Sequence, residues 1–393
     1  MTDEQILKFA DEVFDEAVSI RRKLHETPEL GNMEKETTKL IVSMLESSGI
    51  EVLRPLETGA VGVLRCGEGK TVALRADIDA LAVAEKTELP YASKACGKMH
   101  ACGHDIHTAS LLAAAKILSG HKDELRGTVV FIFQPDEEGN GGAQRIIEAG
   151  IFDRLNVEKV FGIHIRPETK AGKVAVKYGK SYAASDMFKI TVAGKSSHAA
   201  EPEKGISALT AASHLVCALD GAVSRLTAPT DSAVLSVCTF ESGTAVNIIP
   251  ESAVLTGIIR TLGAKTRKEM KEKLVLTAQS IAQAYGCKAQ VEIKESYPGV
   301  VNCNKEAQLV ENCAVSLLGR ENVEILTEPT MTTEDFGYYL DKADGCFYHV
   351  GAGSEYPLHN GRMSPDEACI KTAAAMHVKL VFEILGGSFP RII

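Results

Sequence analysis

Apolar residues recur at helical and strand periods along the first half of the chain and predict alternating helices and strands. Between Ile6 and Val18 they are spaced three and four apart, which predicts an amphipathic helix. Further helices are predicted over 37–47, 108–118 and 143–149, and strands over 61–66, 71–76, 128–134 and 159–165. Strands that alternate with helices indicate an α/β fold with a largely parallel central sheet flanked by helices.

The order of predicted elements changes near Ser185. Strands are predicted over 187–193, 233–240, 253–261 and 289–294, and helices over 206–226 and 267–285. The order β-α-β-β-α-β is the split unit of a ferredoxin-like domain. We therefore predict a main α/β domain in two parts, 1–184 and 296–393, with an inserted ferredoxin-like α+β domain at 185–295. A long helix over 366–385 closes the second part.

Length, charge and cysteine usage narrow the class of protein. A chain of 393 residues is too long for one ordinary core, which agrees with two domains. Its formal charge of −9 and the lack of a basic run disfavour nucleic acid and anionic membranes as partners. The ten cysteines lack the spacing of a disulfide framework, and the N-terminus lacks signal-peptide features. We therefore expect free thiols in a reducing compartment, by default the cytoplasm.

The segment from Met99 to His107 holds the densest group of candidate metal ligands. It contains one cysteine, three histidines and an aspartate, and thiolate and imidazole are preferred ligands of zinc and related ions. Cys102 and His104 are two residues apart, so in an extended segment both side chains project to the same side. Three other interpretations stay open: a loop with incidental polar residues, a buried structural cysteine, and a nucleophilic Cys102 with a histidine partner.

Two adjacent glutamates, Glu137 and Glu138, follow the predicted strand 128–134. Strand ends in α/β sheets are where sites are built. One glutamate can bind metal while the other faces the substrate as a general base, with a pKa raised by burial and like charge. The alternative is a solvated acidic turn.

Other ligand-type residues also lie at predicted strand ends. His164 ends the strand 159–165, Asp77 and Asp79 follow the strand 71–76, and His359 precedes the last helix. Each has a plain structural explanation: a core histidine, a turn or helix N-cap, and an exposed loop residue. Together with the cysteine segment, they predict a metal site.

The inserted domain carries a second group of polar candidates. His198 lies between a strand and a helix, Asn247 lies between two strands, and Arg260 is near the end of the second of these. Such side chains suit a carboxylate or a developing oxyanion. Ordinary hairpin and loop chemistry is the alternative, and it explains Asn247 better than His198.

Nearly the whole chain resembles the dinuclear-metal aminoacylase and carboxypeptidase family. Within that family it is most similar to the branch of hippurate hydrolase, bacterial N-acyl-amino-acid amidohydrolases and plant indole-acetyl-amino-acid hydrolases. The matching segments are RRKLHETPELGNMEKET, LRADIDAL, KMHACGHDIHTA, FQPDEEGNGGA, FGIHI, GKSSHAAEP, GTAVNIIPESA, GIIRT, MTTEDFGYYL and LHNGRM.

The resemblance implies a catalytic α/β domain, an inserted domain that forms a homodimer, and two divalent ions per subunit. Manganese and zinc are the first candidates, with cobalt and nickel next. The implied metal ligands are Cys102, His104, Glu138, His164 and His359. Cys102 would bridge the ions, Glu137 would be the general base, Asp79 would be a supporting catalytic residue, and Asp105 and His107 would support the ligands.

The resemblance further implies hydrolysis of the amide bond of N-acyl amino acids. His198, Asn247 and Arg260 would contact substrate, with His198 and Asn247 reaching the partner subunit's site and His198 assisting catalysis. A dipeptidase, an N-acetyl-diaminopimelate-type deacetylase and a catalytically silent metal-binding relative are the alternatives. Asn360-Gly361 and Ala82 depart from the Ser-Pro and Pro common in this branch, so substrate specificity is expected to differ.

Overall fold

The computed structural model describes residues 1–228 and 231–387, which form two compact units. The first contains Met1–Gly179, Val301–Glu328 and the described residues from Asp335 onward. The second contains Lys180–Val300 and Pro329–Glu334. The short segment 329–334 therefore joins the inserted unit, although no hydrophobic pattern in the sequence indicates this.

The elements are as follows in chain order. Up to Lys177 they are α1 (Asp3–Glu12), α2 (Phe14–Glu26), α3 (Lys35–Ser47), β1 (Glu51–Leu53), β2 (Ala60–Arg65), β3 (Thr71–Asp77), α4 (His104–Gly120), β4 (Thr128–Gln134), α5 (Gly142–Glu148), α6 (Ile151–Leu155), β5 (Lys159–Arg166) and β6 (Val174–Lys177). Then come β7 (Gly179–Tyr182), β8 (Ala184–Ala193), β9 (Ser197–His198), α7 (Ala208–Leu226), β10 (Ala233–Ser242), β11 (Ile248–Ile249), β12 (Ser252–Thr261), α8 (Ala264–Ala284) and β13 (Lys288–Glu295). The last are β14 (Val300–Asn302), α9 (Asn304–Leu318), β15 (Val323–Leu326), α10 (Gly337–Leu340), β16 (Asp344–Gly351) and α11 (Ala368–Leu385).

The first unit is built on a mixed sheet in the order β1-β2-β4-β3-β5-β16-β6-β15. Its centre is parallel, because β4, β3, β5 and β16 run in one direction. β3 and β4 are buried along nearly their whole length, as expected of strands covered on both faces. The parallel centre was predicted; the antiparallel pairings at β2 and β6 were not.

Helix α4 packs in the interior of this unit and is buried on nearly all sides. Small residues such as Ala109 and Ala114 allow neighbouring helices α2 and α11 to approach it. The predicted N-terminal helix is wrong in one respect. It is two helices, α1 and α2, that break at Val13 and continue to Glu26.

The second unit has an antiparallel sheet in the order β10-β12-β8-β13. Its core combines one face of this sheet with the helices α7 and α8, through residues such as Ile190, Leu215 and Leu274. From Asp186 to Ala193, buried residues of β8 alternate with more exposed ones, as expected where one face is covered. The sheet order and the β-α-β-β-α-β sequence are those of a ferredoxin-like fold.

All ten cysteines are free thiols, and six of them are buried. Among the described residues, none of the helices combines the length and apolarity that crossing a membrane requires.

Candidate metal centre

Candidate ligands gather at one edge of the main sheet. Because β4, β3 and β5 are parallel neighbours, their carboxyl ends lie side by side. β3 ends at Asp77 and is followed by Asp79, β4 leads into Glu137, and His164 lies near the end of β5. Strand order therefore brings together residues that are up to 87 positions apart, counted from 77 to 164.

A tight turn at Gly103 places the cysteine and the first histidine. Gly103 has φ +83°, and a Cβ there would lie 2.2 Å from Ile165 Cδ1. The expected extended segment is wrong, because helix α4 begins at His104. Cys102 and His104 nevertheless converge, with Cys102 Sγ 3.3 Å from His164 Nε2.

His104 is fully buried, and a carboxylate orients its ring. Its Nδ1 donates to Asp79 Oδ1 at 3.1 Å, while its Nε2 has no hydrogen-bond partner in the described structure. Burial alone would lower the pKa of His104, but Asp77 and Asp79 outweigh burial and raise it to about 10. The surroundings of Nε2 thus favour a positive charge.

The two glutamates lie in a turn that Asp136 stabilises. Asp136 has φ +58°, and its Oδ2 accepts from Asn32 Nδ2 at 2.6 Å. Glu137 is buried, with 7% exposure, so the solvated-turn alternative is wrong for it. The backbone N–H of Glu138 donates to Asp79 Oδ2 at 3.0 Å. Asp79 therefore holds His104 with one oxygen and the Glu138 backbone with the other.

His359 contacts Glu138 from the opposite side. Its Nε2 lies 3.1 Å from Glu138 Oε1, and its N–H donates to the Ala101 carbonyl at 2.8 Å. The contact with the Glu138 carboxylate raises the pKa of His359. Burial would raise the pKa of Glu138, but His359 and His104 lower it. His359 also has φ +63°, a conformation that residues other than glycine seldom adopt outside constrained sites.

A cavity of about 430 Å³ opens beside His359. It is lined by Val83, Ala84, Lys86, Tyr356, His359, Asn360, Gly361 and Arg362. The Lys86 N–H donates to the Gly361 carbonyl at 2.6 Å, which ties two walls together. Gly361, one of the two positions that depart from the related branch, therefore lies in this wall.

The candidate ligand atoms form overlapping groups of three, each within 4.8 Å. Among them are Cys102 with His104 and His164, Cys102 with Glu138 and His359, His104 with Glu137 and Glu138, and Asp77 with His104 and His107. Cys102 belongs to two groups, so its sulfur can be shared between two cations. Burial, with Glu138 and Glu137 nearby, raises the pKa of the Cys102 thiol well above its usual range. A thiolate at this position therefore requires a compensating cation.

Three other residues of the cysteine segment have different surroundings. His100 is buried beside His25, with ring centroids 6.4 Å apart, and neither His100 nitrogen has a hydrogen-bond partner in the described chain. Asp105 forms buried ion pairs with Arg21 and His25 at 2.8 Å. His107 bonds to Asp77 at 2.5 Å and accepts a backbone N–H.

Sequence reasoning missed a buried polar network beneath the site. Arg75 donates to Asp77 at 2.6 Å, to Asp335 at 2.8 Å and to Gln134 at 2.9 Å. Gln134 Nε2 donates to Asp335 Oδ2 at 2.7 Å. The available signal was an arginine between Leu74 and Ala76 in an otherwise apolar strand, because a buried guanidinium needs paired acceptors.

In the inserted unit, His198 and Asn247 lie together and Arg260 lies apart. His198 pairs with Ile248 across two short strands, and the Asn247 carbonyl accepts from Ala199 N–H at 3.0 Å. Both side chains are exposed. Arg260 is near the far end of β12, about 26 Å along the strand from Ser252.

Comparison with known proteins gives the chain its relatives. The family model of peptidase family M20/M25/M40 matches residues 73–383. IAA-amino acid hydrolase ILR1-like 4 of Arabidopsis thaliana is 39% identical over 385 residues, which cover 95% of this chain and 87% of the relative. Hippurate hydrolase of Campylobacter jejuni is 38% identical over 368 residues, which cover 93% and 96%.

Solved structures share both sequence and fold with this chain, and one of them is described as binding two metals. It is a dinuclear metal binding peptidase of the M20 family from Bacillus subtilis, with a TM-score of 0.84 and 34% identity. The match covers 95% of this chain and 99% of that chain. These relatives confirm the resemblance, the fold class and the prediction of a hydrolase.

Proposed function

Because the chain belongs to peptidase family M20/M25/M40, we propose that it hydrolyses the amide bond of N-acyl amino acids. The products are a carboxylic acid and a free amino acid. The observation that carries the proposal is the convergence of thiol, imidazole and carboxylate ligand atoms around the buried Glu137. Hydrolases of acyl amino acids among its relatives support the substrate class.

The proposed cofactor is a pair of divalent ions, which Cys102, His104, Glu138, His164 and His359 would hold, Cys102 as a shared ligand. The buried Nε2 of His104, which has no hydrogen-bond partner in the described structure, supports this assignment. Manganese or zinc is the first candidate, and a thiolate ligand also suits cobalt or nickel. When bound, such ions polarise an amide carbonyl and lower the pKa of water.

In the proposed reaction, Glu137 accepts a proton from the attacking water as the water oxygen adds to the amide carbon. Glu137 then donates that proton to the leaving amine nitrogen. Asp79 keeps the His104 ring and the Glu138 backbone in place through its two oxygens. His198 donates a hydrogen bond to the developing oxyanion, and Asn247 and Arg260 bind the substrate.

The cavity beside His359 is the proposed site for one substituent of the substrate. Its volume of about 430 Å³ is within the range of small-molecule pockets. We further propose a homodimer formed through the inserted unit, with His198 and Asn247 serving the partner subunit's site. The ten free thiols support a reducing compartment, the cytoplasm.

Matched substitutions of the two neighbouring glutamates test the proposal. Glu137→Gln is expected to lower kcat on N-acyl amino acids by about 10²–10⁴-fold, because it removes the general base. Its metal content, measured by elemental analysis, should stay at the wild-type level. Glu138→Gln should instead lower metal affinity, since it weakens a ligand rather than the base.

Near-wild-type turnover by Glu137→Gln contradicts the assigned base. Activity that survives complete chelation contradicts the metal requirement. A panel of N-acetyl, aromatic N-acyl and dipeptide substrates separates the proposed amidohydrolase from a dipeptidase. Metal-loaded wild type that cleaves none of them indicates the catalytically silent alternative.

A further inference from the structure

His107 occupies a position where the main sheet leaves a backbone donor unpaired. Strand β3 pairs with β5 only as far as Arg75 opposite Gly162. Beyond that point β5 continues, and the Ile165 N–H donates to His107 Nε2 at 3.0 Å. A side chain from helix α4 thus replaces the missing neighbouring strand.

The other nitrogen of His107 is fixed by a buried carboxylate. Its Nδ1 donates to Asp77 Oδ1 at 2.5 Å, and Arg75 Nη1 donates to Asp77 Oδ2 at 2.6 Å. Because a backbone N–H occupies Nε2, the proton of neutral His107 must lie on Nδ1. Both ring nitrogens of His107 are therefore engaged, and neither is free for a metal ion.

Ile165, whose N–H bonds to His107, also orients the proposed ligand His164. His164 Nδ1 donates to the Ile165 carbonyl at 2.8 Å, which leaves the lone pair on Nε2, the atom facing Cys102. The His107 and His164 rings also touch, with centroids 4.7 Å apart at 70°. His164 is thus held through the backbone of Ile165 and by ring packing.

We propose that His107 is a positioning residue that fixes the direction of His164 Nε2 through the Ile165 backbone. This inference rests on the proposed function, because it takes His164 as a ligand. The hydrogen bonds run from Arg75 to Asp77, from Asp77 to His107, and through the Ile165 backbone to His164. Outer partners of this kind commonly change metal affinity by about 10–100-fold.

Two substitutions separate the hydrogen bonds of His107 from its bulk. His107→Phe keeps a ring against His164 but removes both hydrogen bonds. His107→Gln loses the ring, but its side-chain oxygen can accept the Ile165 N–H and its nitrogen can donate to Asp77. His377→Leu removes a buried histidine of α11 whose ring nitrogens have no hydrogen-bond partner within the described ranges, and it serves as the matched control.

The experiment is titration of chelator-stripped protein with Zn²⁺ alone, together with the visible spectrum of the Co²⁺-loaded protein. His107→Phe is expected to weaken metal binding about 10–100-fold and shift the Co²⁺ bands while still binding two ions. His107→Gln should recover most of the affinity and the wild-type bands. His377→Leu should match wild type.

Wild-type affinity and spectrum in His107→Phe overturn the inference. Loss of one ion in both His107 variants also overturns it, because that result makes His107 a ligand. If His107→Phe does not fold, the test depends on His107→Gln. A Zn²⁺ affinity of folded His107→Gln as low as that of His164→Ala then overturns the inference. If wild type binds two ions but hydrolyses no N-acyl amino acid, the proposed function fails and the metal readout still decides this inference.

Discussion

Glu34 links protonation to folding through a single buried carboxylate. It is fully buried at the start of α3, and its Oε1 accepts the Asp136 N–H at 2.9 Å. Burial raises the pKa of Glu34 from 4.5 to about 7. The folded state therefore binds a proton that the unfolded chain releases at lower pH, so stability is lost as pH rises from about 4.5 to 7.

Glu34→Gln should remove this dependence. The variant is expected to gain stability relative to wild type as pH rises through that window, by up to about 3 kcal/mol at pH 8. Urea unfolding of metal-free protein at pH 5 and pH 8 measures the difference. Glu36→Gln, on the exposed side of the same helix, controls for the loss of one charge. A wild-type-to-variant difference that is constant with pH contradicts the prediction.

Residue types predicted the site better than they predicted the role of each residue. Cys102, His104, Glu137, Glu138, His164 and His359 were named from the sequence, and their side chains converge. His100 and His107 lie in the same segment, and spacing alone did not separate them from His104. The deciding fact is that a helix begins at His104, since this sets which way each side chain points.

The turn before α4 joins the metal centre to β5. Gly103 has φ +83°, and a Cβ there would lie 2.2 Å from Ile165 Cδ1. Ile165 in turn bonds to both His107 and His164. A side chain at Gly103 therefore strains the turn and displaces the strand that orients a proposed ligand.

Gly103→Ala should therefore lower the free energy of unfolding by more than the strain of a positive φ alone would do. Gly97→Ala is the matched control, because Gly97 has φ +72° and a Cβ there would meet no atom of the described chain within 4 Å. The control should lose about 1–2 kcal/mol, and Gly103→Ala at least about 1 kcal/mol more, together with metal affinity. Chemical denaturation and Zn²⁺ titration measure both. Equal losses in the two variants count against this coupling.

Elements with a clear hydrophobic pattern and polar turns at both ends were predicted closely, and others were not. The strand 128–134 has its predicted bounds, because a continuous apolar run between polar turns admits few alternatives. The break at Val13 was missed, since the apolar spacing continues across it. Strand direction at β2 and β6 was missed as well, because it depends on pairing with strands far away in the sequence.

The inserted unit separates its candidate substrate residues. His198 and Asn247 share one loop region, whereas Arg260 is about 26 Å from the start of β12 that follows that region. One small substrate cannot span that distance within a single copy of this unit. The separation supports the proposal that His198 and Asn247 serve one active site of a dimer and Arg260 serves the other.

Mixing two inactive variants tests this arrangement. His198→Ala alone should lower kcat by about 10²–10³-fold, because it removes an oxyanion donor. Co-refolded with Glu137→Gln, it should recover about a quarter of wild-type activity, since half of the dimers then contain one intact site. Size-exclusion chromatography with light scattering checks the dimer. No recovery in confirmed mixed dimers means that His198 acts within its own subunit.

In the inserted unit, the start of β8 and the end of β13 are paired neighbours. Asp186, near the start of β8, lies opposite Glu295, at the end of β13, so these two points of the chain are about 5 Å apart. An ordered module with adjoining ends can be removed and replaced by a few glycines without holding a long loop closed. Because the segment 329–334 also belongs to this unit, an exchange of the module between relatives or a circular permutation has to carry that segment as well.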